Sequence, residues 1–283
     1  YERAATRNDA RARATIIENS LGDRYLDSIT PHDVEKWRDA LPGSKRHKNN
    51  THSHLRHLFE RAQVWGWVPD GFNPAKKVAS LRIAKSEPVI WSPEKLQTCF
   101  NWCLESDLKP SAASSRIIFL ALGAFAGMRP SEIEGIATER PGLLWEDIDF
   151  ERRHIHVRPE VAGKLAEPRY IAFTERATSG LSAELADTMW HALVGWLTPH
   201  RRDSGPVSFR RTQSNMSTEL KSAGVIESWP KDGLRHTWIS SLLSLGVHRE
   251  WIAELAGNSP GIIKSNYKRP IPEETAVEWF DVA

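Results

Sequence analysis

Four polar residues stand where their types could act on an anion. Arg129 follows an apolar run, in Ala126-Gly127-Met128-Arg129-Pro130-Ser131-Glu132-Ile133. Arg235 lies in Gly233-Leu234-Arg235-His236-Thr237-Trp238, and Tyr267 lies near the chain end in Ser265-Asn266-Tyr267-Lys268-Arg269-Pro270. Lys164 falls in a turn between two strand-like segments. A guanidinium is planar, permanently charged and able to grip two phosphate or carboxylate oxygens at once. A lysine can hand over a proton, and a phenol oxygen can form a covalent intermediate. Singly, each has an ordinary explanation: a surface charge at a helix start, or a tyrosine in a core.

The elements that must position these groups read as two modules. In the first, Ala4–Asn19 is a polar, Arg-rich helix. Thr30-Pro31-His32-Asp33 carries a capping box with Pro at the first helical position, followed by Val34, Trp37 and Leu41 on one face. A third helix is predicted from about Asn50 to Val64, with Leu55, Leu58, Phe59 and Ala62 as its apolar stripe. The polar segment 76–88 has no period and reads as a linker. In the second module, Leu96, Cys99, Phe100, Cys103 and Leu104 make a helical stripe. Ser114–Phe125 is almost wholly apolar, hence a central helix, with Gly127 placed to stop it. The period then changes to two over Trp145–Phe150, His154–Arg158 and Pro168–Phe173, predicting three strands. From Leu181 onward the pattern is helical again, and Arg235 is expected to begin an amphipathic helix.

Composition narrows the class. The chain has 283 residues, 40% hydrophobic and 26% charged, which excludes a disordered or collagen-like chain. Two cysteines, Cys99 and Cys103, are too few for a zinc site or a disulfide framework and suggest a reducing setting. The longest apolar run is far short of a membrane span, and the Arg-rich opening lacks the apolar core of a signal peptide. A cytoplasmic location is expected. Charge is asymmetric: residues 1–85 hold 16 Lys/Arg against 10 Asp/Glu, and residues 86–283 hold 22 against 26. A basic first module suggests contact with an anionic polymer.

Together the motifs resemble the tyrosine recombinases of the phage-integrase type. Ala124–Ile136 resembles the family's first arginine box, and Gly233–Leu245 with Leu255–Pro270 resembles its second. Intervals inside the second box agree: 32 residues from Arg235 to Tyr267 and nine from Asn258 to Tyr267. The resemblance spans about residues 4–270. It implies a mainly α fold with a small antiparallel β-sheet. Residues 1–75 would form a helical core-binding domain, 76–88 a linker and 89–270 an α+β catalytic domain, closing as a clamp on double-stranded DNA. It further implies that Tyr267 attacks a phosphodiester to form a 3′-phosphotyrosine. Arg129 and Arg235 would hold the non-bridging oxygens, Asn258 would donate to one of them, and Lys164 would protonate the leaving 5′-oxygen. The covalent link stores the bond energy, so no cofactor or metal is implied. Glu132 resembles an acid that steadies such sites, and equally reads as an ordinary first-turn carboxylate.

Two positions depart from the family pattern. Asp232 and Asn258 stand where the motifs usually carry histidine, or histidine or tryptophan. An amide can still donate; an ionised carboxylate cannot. Asp232 is tolerable there if it pairs with Arg235 or Lys231, and His236 is expected to point elsewhere on its helix. For these reasons a catalytically weakened DNA-binding protein of the same fold is one competing reading, and a type IB topoisomerase is another. On the third helix, Lys45, Arg46, Lys48, Asn50, His52 and Arg56 are the expected DNA contacts; the neighbouring histidines are not expected to bind metal. The tail 271–283, with Ala276, Val277, Trp279 and Phe280 as anchors, is expected to dock on a neighbouring catalytic domain. The protein would be a monomer in solution and a tetramer on paired DNA sites.

Overall fold

A computed structural model describes residues 4–84, 88–136, 140–162, 167–175, 180–267 and 271–282. The chain divides into two compact units, Tyr1–Ser86 and Glu87–Ala283.

The first unit is built on α1 (Ala4–Leu21), α2 (Pro31–Ala40) and α3 (Lys45–Val64). The Thr30 hydroxyl accepts from the Asp33 backbone N–H at 3.2 Å, and the Asp33 carboxylate accepts from Thr30 N–H at 2.8 Å, so the capping box forms. Ile17, Val34, Trp37, Leu55 and Phe59 make the core. Helix α3 starts at Lys45, earlier than expected, because Ser44 caps it by accepting from His47 N–H. A polar run has no apolar period to show this; the cap is its only local signal. Leu58 is 44% exposed, since the buried face follows Leu55, Phe59 and Ala62. Much of the expected linker belongs to this unit. Val78 is buried, and the Asn49 side chain brackets Leu81, donating to its carbonyl (2.9 Å) and accepting from its N–H (2.8 Å). One amide thus supplies the partners that an extended segment would otherwise find in a sheet.

The second unit is organised around α5 (Pro110–Phe125), whose residues from Ser115 to Phe125 are all buried. Helices α4 (Pro93–Glu105), α7 (Ala183–Leu197), α8 (Thr212–Ser222) and α9 (Gly233–Ser244) pack on it. Helix α9 is buried on every side rather than amphipathic: Thr237, Ser240 and Ser241 lie in the core beside Trp238, Ile239 and Leu242. Thr237 is satisfied locally, donating to Gly233 O and accepting from Trp91 N–H.

The sheet is antiparallel in the order β1 (Ile148–Asp149), β2 (His154–Val157), β3 (Arg169–Ala172). Ile155 pairs with Ile148 and Ile171, and all three face the core. The first strand is shorter than expected because Trp145–Asp147 turns as a 3₁₀ segment, with Asp147 accepting from Leu144 N–H and from Arg158 Nε.

After α10 (Arg249–Ala256) and α11 (Pro260–Asn266), the chain ends in α12 (Glu273–Phe280), packed against α9. Trp279 is fully buried and donates from its indole to Ala124 O at 2.9 Å; Trp196 donates to Val282 O at 3.1 Å. In the single chain the tail packs on its own domain. Its aromatic anchors find both an apolar groove and hydrogen-bond partners there. Among the described residues no helix is long and apolar enough to cross a membrane.

Candidate active site

The carboxyl end of α10 is the hub of the site. A helix leaves its last carbonyls without internal partners and carries partial negative charge there. Three guanidinium groups converge on them. Arg169 Nε donates to Leu255 O at 2.8 Å, Arg235 Nη2 donates to Ala256 O, and Arg129 reaches Ala256 O (3.3 Å) and Gly257 O (3.0 Å). Arg129 and Arg235 therefore share one carbonyl and lie side by side.

Each arrives from a different element. Arg129 is the N-cap of α6 (Pro130–Ile133), immediately after the turn that ends α5. Gly127 makes that turn at φ +59°, and a Cβ there would stand 2.2 Å from the Trp238 ring; its carbonyl accepts from Arg235 Nη1 at 2.6 Å. Arg235 comes from the first turn of α9 and is buried. Gly257 ends α10 at φ +60°, where a Cβ would press on the Arg169 guanidinium at 3.1–3.2 Å.

Glu132 lies beneath these cations with no exposed surface. It accepts from Arg129 N–H (2.9 Å) and Nη1 (3.0 Å), and from Arg169 Nη1 (3.1 Å) and Nη2 (2.8 Å). Burial would raise its pKa, but Arg169, Arg235 and Arg129 outweigh burial and hold it below the usual carboxylate range. Of the two expectations for Glu132, the structure has the buried acid, not a solvated first-turn carboxylate. Burial, with Arg129 alongside, presses Arg235 down to about 9, which leaves it charged at neutral pH.

Asn258 accepts from Arg129 Nη2 through Oδ1 at 2.6 Å, so its NH₂ is left to donate. Tyr267 caps the end of α11 and is mostly buried. Its hydroxyl lies 2.5 Å from Nδ1 of His236. Burial pushes the phenol up to about 12; Arg235 and Arg129 pull it down and Asp232 adds to the rise. His236 thus faces the tyrosine, contrary to the expectation that it points away. The reason is that α11 returns the chain to the first turn of α9.

Asp232 is the N-cap of α9 in the left-handed region, at φ 54° and ψ 21°. A pairing with Arg235 or Lys231 does not form: Asp232 has no ion pair among the described residues, and Arg235 is turned to the carbonyls of Gly127 and Ala256. Lys164 lies outside the described residues, which include the flanking strands β2 and β3. No group of three or more metal-ligating side chains occurs among the described residues.

Arg169 escaped the sequence reading. Its signal is a charged residue in phase with Ile171, two positions on and on the buried face of the same strand. In the first unit, Lys45, Arg46 and Asn50 are exposed and Arg56 is half-buried. Lys48 donates to Asp39 O. His52 corrects the expected contact set: it is 1% exposed and its Nε2 is 2.9 Å from Ala75 O, so it ties α3 to the Pro74–Lys77 turn instead of facing DNA.

Comparison with known families places residues 93–272 in the phage integrase family model. The chain belongs to the phage integrase family. Several solved structures share its fold at low identity. A lambda integrase fragment, solved as a dimer bound to a COC′ core site, has a TM-score of 0.64 at 15% identity, covering 94% of this chain and 89% of that one. The Tn1549 transposon integrase, solved with a circular intermediate DNA, has a TM-score of 0.60 at 16% identity, covering 99% and 94%. A lambda integrase tetramer bound to a Holliday junction has a TM-score of 0.62 at 14% identity, covering 92% and 73%. Curated protein sequences give no match.

Proposed function

We propose that this chain is a site-specific DNA recombinase that cuts and rejoins duplex DNA through a 3′-phosphotyrosine on Tyr267. The observation that carries the reading is the pair of guanidinium groups of Arg129 and Arg235 on the Ala256 carbonyl, with the Tyr267 hydroxyl against His236, the residue next to Arg235. A phosphodiester seated there meets two fixed cations. As Tyr267 attacks, charge concentrates on the non-bridging oxygens, and preorganised donors of this kind are worth several kcal/mol of barrier. Two of the five Arg235 N–H donors are held by backbone carbonyls, leaving donors for the anion. The free Asn258 amide is a further donor. Lys164 supplies the proton that lets the 5′-oxygen leave as a hydroxyl.

The exposed Lys45, Arg46 and Asn50 on α3, with Lys48 and Arg56 beside them, serve as phosphate and groove contacts. The solved relatives in complex with DNA, as dimer and tetramer, support duplex DNA as partner and assembly on paired sites. A nicked duplex that loses its cleaved fragment tests the reading, because religation is then impossible. A covalent protein–DNA adduct that disappears with Tyr267→Phe is the expected result. Tight binding without any adduct would favour a DNA-binding protein that has lost its chemistry.

A further inference from the structure

We propose that His236 takes the proton from Tyr267 during cleavage and that Asp232 stabilises the imidazolium so formed. This deepens the preceding reading and rests on Tyr267 being the nucleophile.

The geometry carries the assignment. Nδ1 of His236 stands 2.5 Å from the Tyr267 hydroxyl, within direct reach for proton transfer. Asp232 is the N-cap of α9, four residues before His236; its backbone carbonyl accepts from the His236 N–H at 2.8 Å, and its carboxylate charge raises the pKa of the ring against burial. Asp232 has no ion pair among the described residues, so no bound cation cancels its field at the ring. Nucleophile and base are in direct contact, and Asp232 acts on the base through its charge, the same three chemical types that activate a weak hydroxyl elsewhere in enzymology. Tyr267 needs such help: burial holds its hydroxyl protonated, with a pKa of about 12. Burial also lowers the pKa of His236, Arg235 adds to that, and Asp232 opposes both. Among the described residues, the charged and titratable groups acting on the ring are Asp232 and Arg235 from its own helix and Tyr267 from the end of α11, with Arg129 acting on Tyr267 from α6.

The step balances without another reactant. His236 begins neutral with its proton on Nε2 and a lone pair on Nδ1. As Tyr267 Oη bonds to phosphorus, its proton passes to Nδ1. The P–O5′ electron pair leaves with the 5′-oxygen, which takes a proton from Lys164. In rejoining, the 5′-hydroxyl attacks and gives its proton back to Lys164, and the departing tyrosine recovers its own from His236. Asp232 thereby acquires a use at the position where a phosphate donor was expected.

The test uses the full chain and a nicked duplex whose core sequence the chain itself has selected from a randomised pool. Adduct formation with the unaltered chain and none with Tyr267→Phe establishes the nucleophile first. His236→Gln keeps a hydrogen-bonding side chain that cannot take a proton; its adduct rate should fall about 100-fold or more, with DNA binding retained. The unaltered rate should fall as pH drops through the His236 titration. That acid limb should vanish in His236→Gln and move to lower pH in Asp232→Asn, which removes the charge favouring the imidazolium. With sulfur in place of the bridging 5′-oxygen, the leaving group needs no proton. His236→Gln should then stay slow while Lys164→Ala recovers. A His236→Gln rate within about threefold of the unaltered chain, an unchanged acid limb, or rescue of His236→Gln by sulfur would overturn the assignment alone. No adduct from the unaltered chain would overturn both it and the nucleophile.

Discussion

The charged residues of the candidate active site and those of α3 are held in opposite ways. Around α10 the cations are buried or half-buried, and each has named acceptors: Glu132, the carbonyls of Gly127, Leu255, Ala256 and Gly257, or Asn258. On α3, Lys45 and Arg46 stand in solvent. A buried charge must be paired, because desolvation costs several kcal/mol per ion. Pairing fixes its position, and position is what transition-state stabilisation needs. An exposed charge costs little to place and contributes to binding mainly by displacing counterions. On the proposed function, the second unit would hold charge for chemistry and the first for attraction.

The sharpest break of that comparison is Tyr267→Phe. Covalent adduct should fall below detection, while binding, read by fluorescence anisotropy, should hardly change, since no charge is lost. Next in size is Glu132→Ala, which strands Arg169 as a buried, unpaired cation; unfolding of the second unit in urea should show a loss of about 3–5 kcal/mol. A loss below about 1 kcal/mol would mean that the network is solvated and the contrast with α3 is false. His52→Ala should cost about 1–3 kcal/mol in the first unit by leaving Ala75 O unpaired, with the salt dependence of DNA binding unaltered. Lys45→Ala and Arg46→Ala should do the reverse. Each should reduce the slope of log K against log salt by about 1, with melting temperature unchanged. The smallest effect is Leu58→Ser, within about 0.5 kcal/mol because the side chain already faces water. A slope change from His52→Ala would return that residue to the DNA face.

Local signals carried a good part of the molecule. Capping at Thr30, the apolar run of α5 and the period-two strands around Ile155 and Ile171 are short-range patterns, and the structure has them. They failed where the decisive contact is distant. Helix α9 reads as amphipathic because Thr237, Ser240 and Ser241 are polar, yet α5 and α12 cover it. Trp279 and Phe280 were legible as apolar anchors, but their groove beside Ala124 in the single chain was not.

At the site the division is the same. By itself the sequence determined which residue types are present and their order: Arg129, Arg235, Asn258 and Tyr267 at intervals that resemble a known family, with Asp232 as a departure. Tertiary structure alone decided what each side chain meets. It set Arg169 against Glu132, placed two arginines on one carbonyl and turned His236 toward a tyrosine 31 residues later. The physical reason is that spacing fixes the face of a helix, whereas the partner on that face comes from chain folded back from elsewhere. For buried charged groups such as Glu132 and Arg169, the cost of desolvation then favours the arrangement in which they meet each other.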